Sequence, residues 1–145
     1  MWRIDAMPKL NTIPARVQTD SVGGIVKVIY DFADVGGKIG NIPLELELPP
    51  GSIIHRGFID VVTTITSGGS ATVGLSFINN ASSPVAQSIY TATAIASVTG
   101  VVALTANTTP VKLAGGTKSA LNLVVATADL TAGKANIYLQ YFGVA

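Results

Sequence analysis

The sequence predicts an all-β fold, specifically a jelly-roll-like antiparallel β-sandwich of about eight strands with an extended N-terminal arm. Three observations lead to this prediction. Short runs of β-branched and aromatic residues recur along the chain, and several alternate between apolar and polar positions. Clusters of Gly, Pro and Asn separate these runs at the spacing typical of sandwiches. No helical pattern long enough for a βαβ crossover intervenes, which disfavours a parallel α/β sheet.

The first half of the chain contains three predicted strands. Residues 25–32 form a β-branched and aromatic run that closes near Asp34. In residues 44–48 three leucines should face the core while two glutamates face solvent. Residues 53–66 form the longest predicted strand, with Val61, Thr63 and Ile65 expected on one face. Gly57, inside this strand, indicates a bulge or a close approach of the backbone.

The second half is built from shorter runs. Residues 67–70 and 131–134 have the composition of turns, and residues 85–96 suit either a short helix or an irregular crossing. The remaining predicted strands cover residues 71–78, 98–104, 109–114, 120–127 and 135–142.

A chain of 145 residues is expected to form one domain. Residues 1–22 contain two prolines and no sustained period, and they include the charged residues Arg3, Asp5, Lys9 and Arg16. They are predicted to form an extended arm, which at full extension reaches up to ~70 Å. Residues 23–145 are predicted to form a single β-sandwich domain.

Charge is scarce and unevenly distributed. The chain has 48% hydrophobic and 12% charged residues and a net charge of +1. This composition excludes disorder and disfavours binding to nucleic acid, which requires a basic surplus. Of the nine basic and eight acidic residues, 13 lie at or before Asp60, and residues 61–111 carry none. A soluble monomer normally keeps a mixed charged surface, so we expect partners to cover much of this one.

The membrane and export classes are disfavoured as well. Residues 89–106 are long and apolar enough to suggest a spanning helix, but they contain four threonines, a serine and Gly100, with no flanking cationic anchors. Asp5 and Pro8 lie where a signal peptide would have its apolar segment. We therefore expect synthesis in the cytoplasm without processing, and no membrane partner.

Candidate catalytic and metal-binding residues are few. His55 is the single histidine, and alternation along the strand places Asp60 on the opposite face unless a bulge intervenes. No G-x-S-x-G nucleophile motif is present. Asp31 and Asp34 form a close acidic pair and are expected to end a strand and cap a turn. Residues 36–38 lack the full phosphate-loop pattern and are also expected to form a turn. The sequence predicts no catalytic, cofactor-binding or metal-binding residue, and no enzyme.

Five aromatic side chains could form a sugar-binding platform, because jelly rolls often serve as lectins. They are Trp2, Tyr30, Tyr90, Tyr138 and Tyr141. Packing in the core or in an interface is the commoner fate of such residues.

Two segments resemble a pattern found in small virion proteins of tailed bacteriophages. Residues 48–75 include LPPGS at 48–52, GFIDVVTTITS at 57–67 and ATVGL at 71–75, and residues 130–141 include LTAGK at 130–134 and YLQY at 138–141. Together the two segments cover between a quarter and a third of the chain and consist of turn and strand signatures. Within this group the size and the predicted jelly roll are similar to those of capsid cement, or decoration, proteins, which bind the outside of the shell as dimers.

This resemblance implies a non-enzymatic structural protein of the outer capsid surface, made in the host cytoplasm and joined to the virion. Its partners would be the major capsid protein, whose neighbouring subunits it cements around the DNA-filled head, and a second copy of itself. It would have no cofactor and no direct contact with nucleic acid. The alternative is another virion component, such as a tail or receptor-binding protein that binds glycans. The candidate interface residues are Trp2, Arg3, Ile4, Lys9, Arg16, Tyr138 and Tyr141.

Deletion of residues 1–20 tests the role of the arm, for which we hypothesise that Trp2 is the apolar anchor on the capsid or on a neighbouring subunit. We expect heat-stressed capsids to retain less of the truncated protein than of the full chain. The truncated protein must first show the β-sheet circular dichroism of the full chain. Unchanged occupancy and unchanged capsid stability would contradict the hypothesis.

Overall fold

A computed structural model describes residues 23–143, which fold into two antiparallel sheets packed face to face. Two 3₁₀ turns, Ile95–Ser97 and Thr105–Asn107, and one short helix, α1 (Phe32–Val35), lie between the strands. The strands are β1 (Gly23–Asp31), β2 (Gly40–Leu48), β3 (Ile53–Ser67), β4 (Thr72–Asn79), β5 (Ala86–Ala94), β6 (Val101–Ala103), β7 (Val111–Lys112), β8 (Ser119–Ala126) and β9 (Leu130–Phe142).

The strand order is that of a jelly roll. In sheet A the order is β1-β9-β3-β6, and β7 also pairs with β3. In sheet B the order is β2-β8-β4-β5. The chain therefore winds between the sheets and leaves its first and last described strands side by side, which is the double Greek key arrangement. The predicted fold class is confirmed. Residues 23–143 contain nine strands rather than the expected eight because β5 forms in the segment 85–96, for which the sequence allowed a short helix or an irregular crossing. Strands β6 and β7 pair with the same edge of β3 at different residues, Phe58–Asp60 and Ile53–Ile54.

The core consists of the inward-facing positions of both sheets. Alternate residues along a strand point to opposite faces, so each strand contributes every second side chain. On β4 and β8 these include Leu75, Phe77 and Leu121, and on β9 they include Ile137 and Leu139, all at most 1% exposed. The expected pattern in β2 is also observed, since Leu44 and Leu48 are buried, Leu46 is partly buried, and both glutamates are exposed.

The pairing of β3 with β9 has four register shifts, and two of them show how bulges set which β3 side chains face the core. Arg56 pairs with Gln140 and Ile54 pairs with Tyr141, so His55 is an extra residue that bulges out of the ladder. A second shift follows Val61, and Thr63 is exposed rather than aligned with Ile65 toward the core. The expectation that Thr63 shares the inward face was therefore wrong, because the bulge changes the parity of the strand locally.

Two other segments differ from the sequence expectations. Residues 85–96, left open between a helix and a crossing, contain strand β5, whose register with β4 shifts twice and buries the consecutive residues Ile89 and Tyr90. The turn expected at residues 131–134 is instead part of β9. There Gly133 lies so close to Ile65 on β3 that a Cβ atom would overlap it.

The apolar stretch at residues 89–106 is not a spanning helix. It contains the end of β5, both 3₁₀ turns and strand β6. Within residues 23–143 no helix has the length and apolar character needed to cross a membrane. The arm expected at residues 1–22 lies outside the described residues.

Tyr30 anchors the end of β1 to the loop that follows α1. Its ring is buried, and its hydroxyl donates to the Gly36 carbonyl at 2.8 Å. Gly36 has a φ of 77°, a left-handed conformation that glycine adopts without strain. Burial, and to a smaller degree the neighbouring Asp31 carboxylate, raises the pKa of Tyr30 to about 12.

The raised pKa of Tyr30 predicts an alkaline loss of stability. In the unfolded chain Tyr30 ionises near the ordinary pKa of about 10, whereas in the folded protein it keeps its proton up to about 12. Its contribution to the free energy of unfolding is therefore complete below pH 10 and is lost between pH 10 and 12. Tyr30→Phe removes the hydrogen bond to the Gly36 carbonyl, so its free energy of unfolding at pH 7 should be about 1 kcal/mol lower. The stability advantage of the unsubstituted protein over this variant should then shrink from pH 10 to 12 in urea titrations. A constant difference would contradict the assignment.

Candidate functional site

The outer face of sheet A presents an ordered grid of side chains. Because inward positions alternate with outward ones, the outward residues of β1, β9, β3 and β6 line up across the sheet by register. The first row contains Ile25, Gln140 and Arg56; the second contains Lys27, Tyr138, Phe58 and Ala103; the third contains Ile29, Asn136, Asp60 and Val101.

Five of these residues form what we call the outer apolar patch: Ile25, Ile29, Phe58, Val101 and Tyr138. Ile25 is 74% exposed, Val101 68%, Ile29 51% and Phe58 40%. The Phe58 and Tyr138 rings stack at a centroid distance of 4.8 Å and an interplanar angle of 26°. Large apolar side chains that remain exposed together on one face are typical of an interaction surface.

A shallow, open concavity of about 300 Å³ adjoins the aromatic pair. Arg56 and Gln140 line its polar side, and Phe58, Tyr138 and Ile25 line its apolar side. The Gly57 amide on its floor donates to the Asn107 side-chain oxygen at 2.8 Å, which fixes the second 3₁₀ turn against β3. The site thus combines a rigid aromatic surface with hydrogen-bonding groups.

Charged side chains surround the patch without forming a strong pair. Lys27 lies over the Tyr138 ring, with Nζ at 6.0 Å from the centroid, a distance at which a cation–π attraction begins to act. Lys134 and Asp31 at the margin are 4.0 Å apart and partly exposed, so their attraction contributes little to stability. Arg56 lies in the first row beside Gln140, and Asp60 lies within the third row between Asn136 and Val101, so opposite charges flank the aromatic pair.

The outer face of sheet B has a different chemistry. Strands β4, β5 and β8 contain no charged residue at all. Their outward positions are mostly small, as in the row that joins Pro43, Asn122, Ser76 and Ser88. Asn122 at the centre of this face is only 7% exposed, and its side chain donates to the Ala120 carbonyl. Two strands of the charge-free region of residues 61–111, β4 and β5, are thus neighbours in sheet B.

The candidate tyrosines lie in different environments in the structure. Tyr138 lies in the outer apolar patch, whereas Tyr141 points to the other face of β9 and packs against the core. Tyr30 and Tyr90 are both buried. The other candidate interface residues, Trp2, Arg3, Ile4, Lys9 and Arg16, lie outside the described residues.

The candidate catalytic and metal-binding groups are not brought together in residues 23–143. Although His55 is in a bulge, the five residues to Asp60 span about 16 Å of strand, and its ring lies 5.8 Å from that of Phe142 instead. Asp31 caps α1 by accepting from the Ala33 amide at 3.0 Å, as expected for a residue that ends a strand. No group of three His, Asp or Glu side chains forms in this part of the chain.

Sequence reasoning missed most of the outer apolar patch. Phe58, Ile25 and Ile29 were not among the candidates, although the signal was present. Each is an apolar residue that alternates with the core positions of its own strand, such as Val28 and Ile59. Since alternate residues of a strand point to opposite faces, a large apolar residue next to a core residue must be exposed on the outer face. This reasoning would have identified all three.

The comparisons with known proteins agree with the fold. No protein-family model matches the sequence, and no curated protein matches it significantly. The structure is similar to a chain in the acidic stable capsid structure of Helicobacter pylori bacteriophage KHP30, with a TM-score of 0.57 and 15% identity. The match covers 84% of this chain and 88% of that chain, so the two are similar in length. At this identity the likeness shows a shared fold.

The position of Gly57 beneath the patch gives a testable prediction. A Cβ at Gly57 would overlap the Tyr138 carbonyl and the Leu104 side chain, so Gly57→Ala must push β3 away from β9. We expect a loss of about 1–3 kcal/mol in the free energy of unfolding. Gly68→Ala is the control, because no atom lies within 4 Å of the new methyl group. Equal effects of the two substitutions in denaturant titrations would contradict the close packing.

Proposed function

We propose that this protein is a structural component of a phage virion that binds the outer capsid surface and cements neighbouring major capsid protein subunits around the DNA-filled head. The likeness to a chain of similar length in a phage capsid structure supports a virion role. The resemblance of the turn and strand motifs to small virion proteins supports it independently. In this proposal the protein acts as a dimer and has no catalytic activity.

The single observation that carries the proposal is the outer apolar patch. It places two stacked aromatic rings and three exposed aliphatic side chains on one face of a rigid sheet, with Arg56 at the edge. Aromatic residues and arginine are the residue types that dominate binding energy at protein interfaces. A polar and charged rim around an apolar centre is the usual anatomy of such an interface.

A cementing protein does not need tight individual contacts. When a dimer attaches to two sites of one lattice, the second attachment is effectively intramolecular, which raises the overall affinity without new contacts. The outer apolar patch and the predicted arm would then each need only a modest affinity. The low charge of the chain agrees with this arrangement, because the centres of interfaces are depleted in Lys, Glu and Asp.

The second candidate function is that of a tail or receptor-binding virion protein that binds a glycan. The concavity beside Phe58 and Tyr138 favours it, because a sugar ring could pack against the exposed edges of this aromatic pair while Arg56 and Gln140 bind its hydroxyl groups. Of the tyrosines considered for this role, the buried Tyr30 and Tyr90 and the core-packed Tyr141 are not available. Binding of the purified protein to a glycan array would favour this function, and absence of binding would favour the capsid.

The double variant Phe58→Ser, Tyr138→Ser tests the proposed binding surface. We expect at least tenfold weaker binding to capsids assembled without the protein, because interface aromatics commonly contribute about 2 kcal/mol each. Binding is measured by co-sedimentation. Ile39→Ser is the matched control, since Ile39 is 56% exposed but lies in the loop between α1 and β2, away from the patch.

Thermal unfolding must show that the double variant is folded at the assay temperature. Capsid binding that is unchanged in a folded double variant would rule out the outer apolar patch as the binding surface. If the unsubstituted protein does not bind capsids at all, the cementing function itself is wrong.

A further inference from the structure

The edge of β3 that faces away from β9 is covered along only part of its length. Strand β7 pairs with Ile53–Ile54 and β6 pairs with Phe58–Asp60 on this edge. Beyond β6, the Val61 amide donates to the Gly100 carbonyl at 2.8 Å. Within residues 23–143 no strand pairs with residues 62–66 on this edge. In this part of the protein, the end of β3 therefore presents backbone groups that can pair with an added segment.

A bulge bends the same part of β3. Val61 and Thr63 pair with neighbouring residues of β9, so Val62 between them is an extra residue. Val62, Thr63 and Thr64 are exposed in succession, with Val62 at 56%. Bulges bend a strand and re-aim its side chains, and they are common beside binding sites.

An apolar cleft of about 470 Å³, which we call the edge cleft, lies beside this part of β3. Its walls come from the end of β3 on one side and from the end of β5 and the 3₁₀ turn that follows it on the other. The buried residues Ile65 and Ala71 line it, together with the partly buried Ile95. No lining residue is charged. Five of them carry hydroxyl groups: Thr64, Thr66, Ser67, Ser70 and Thr99.

Backbone hydrogen bonds hold both walls of the edge cleft in place. The Ile95 amide donates to the Ala71 carbonyl at 3.2 Å, which fixes the 3₁₀ turn against the start of β4. The Gly68 amide donates to the Asp129 carbonyl at 3.2 Å, which fixes the turn after β3. A pocket whose walls are already ordered loses little conformational entropy when it is filled.

We propose that the edge cleft receives a large apolar side chain from an extended, uncharged segment of the major capsid protein. This deepens the proposed function, on which it rests, because it gives the capsid a second contact next to the outer apolar patch. The segment would add to residues 62–66 of β3 through a few backbone hydrogen bonds, while its side chain packs on Ile65 and Ile95. The bulge leaves little regular edge, so the inserted side chain carries most of the binding.

The lining of the edge cleft selects the chemistry of its occupant. A charged group buried there would meet no opposite charge among the lining residues, and burying an unpaired charge is costly. A closed apolar cavity of about 150 Å³ binds one benzene molecule. The larger, open edge cleft therefore has room for a large side chain and the adjoining backbone. Hydroxyl groups on its walls can donate to the carbonyl groups of that backbone.

Continuity with the outer apolar patch identifies the partner as the protein that covers the patch. Val101 of the patch is 68% exposed, and it follows Thr99 of the edge cleft by two residues. The exposed Val62 adds apolar surface at the junction, because Val61 before it is bonded to Gly100. A capsid subunit that covers the patch therefore also reaches the edge cleft.

Filling the edge cleft in the full-length protein tests this inference. Ala94→Phe places a ring at the cleft and should weaken co-sedimentation with capsids assembled without the protein by roughly tenfold or more, because the ring excludes the partner's side chain. Ala86→Phe is the matched control and should leave binding unchanged. Both alanines are exposed residues of β5, and Ala86 lies at the end of the strand away from the cleft. Both variants must keep the circular dichroism and the Tm of the unsubstituted protein.

Thr99→Asp provides a second test that adds charge rather than volume. Because it places an unpaired carboxylate at the edge cleft, it should also weaken capsid binding, whereas Thr99→Leu should retain it. Ser83→Asp, at an exposed position in the loop between β4 and β5, is the control for the added charge.

A photo-cross-linking amino acid at Thr99 identifies the occupant on capsids. A cross-link to a segment of the major capsid protein that lacks Asp, Glu, Lys and Arg would support the inference. A cross-link to residues 1–22 of this chain would assign the edge cleft to the arm and overturn the inference, as would the absence of any cross-link.

The same sedimentation assay separates this inference from the proposed function. If capsid binding depends on Phe58 and Tyr138 but ignores Ala94→Phe and Thr99→Asp, the cementing function is supported and the edge cleft is wrong. If the unsubstituted protein does not bind capsids, the cementing function is wrong and the inference falls with it.

Discussion

The register of β9 between β1 and β3 is the constraint on which sheet A depends. Its inward residues Ala135, Ile137 and Leu139 are at most 2% exposed, and its outward residues include Tyr138. A slip of one residue would exchange the two faces, exposing core side chains and burying the tyrosine. The contacts that stabilise the core therefore also position the outer apolar patch. The start of β9 is held in place by the Leu130 amide, which donates to the Gly37 carbonyl at 2.7 Å.

Most of the fold was predictable from the sequence because period-two alternation and turn chemistry are local signals. They located β2, β3, β4 and β8 within a few residues and gave the correct jelly-roll class. The failures lie where a distant residue decides the local structure. Gly133 is typical of a turn, but here it lies within β9, where the strand passes too close to Ile65 to leave room for a Cβ atom. The actual reversal occurs at residues 127–129, where Thr127 has a left-handed φ of 76°, which threonine rarely adopts. In β5, two register shifts against β4 interrupt the alternation of buried and exposed residues, so the sequence shows no clear strand pattern there.

The candidate site was less predictable than the fold. Tyr138 was identified, but its partner Phe58 lies 80 residues earlier in the chain and meets it only through the pairing of β3 with β9. No local pattern specifies that contact. Tyr141, only three residues after Tyr138, was grouped with it in sequence, yet the odd spacing sends it to the opposite face. The arm residues, from Trp2 to Arg16, remain predictions of the sequence because they lie outside the described chain.

The jelly-roll topology distributes the charged residues unequally between sheets A and B. The charge-free strands β4, β5 and β8 are neighbours in sheet B, whereas β1, β3 and β9 carry charges and lie together in sheet A. Sheet A therefore has charged side chains among large apolar groups, whereas three strands of sheet B have small uncharged groups and its edge strand β2 carries Glu45 and Glu47.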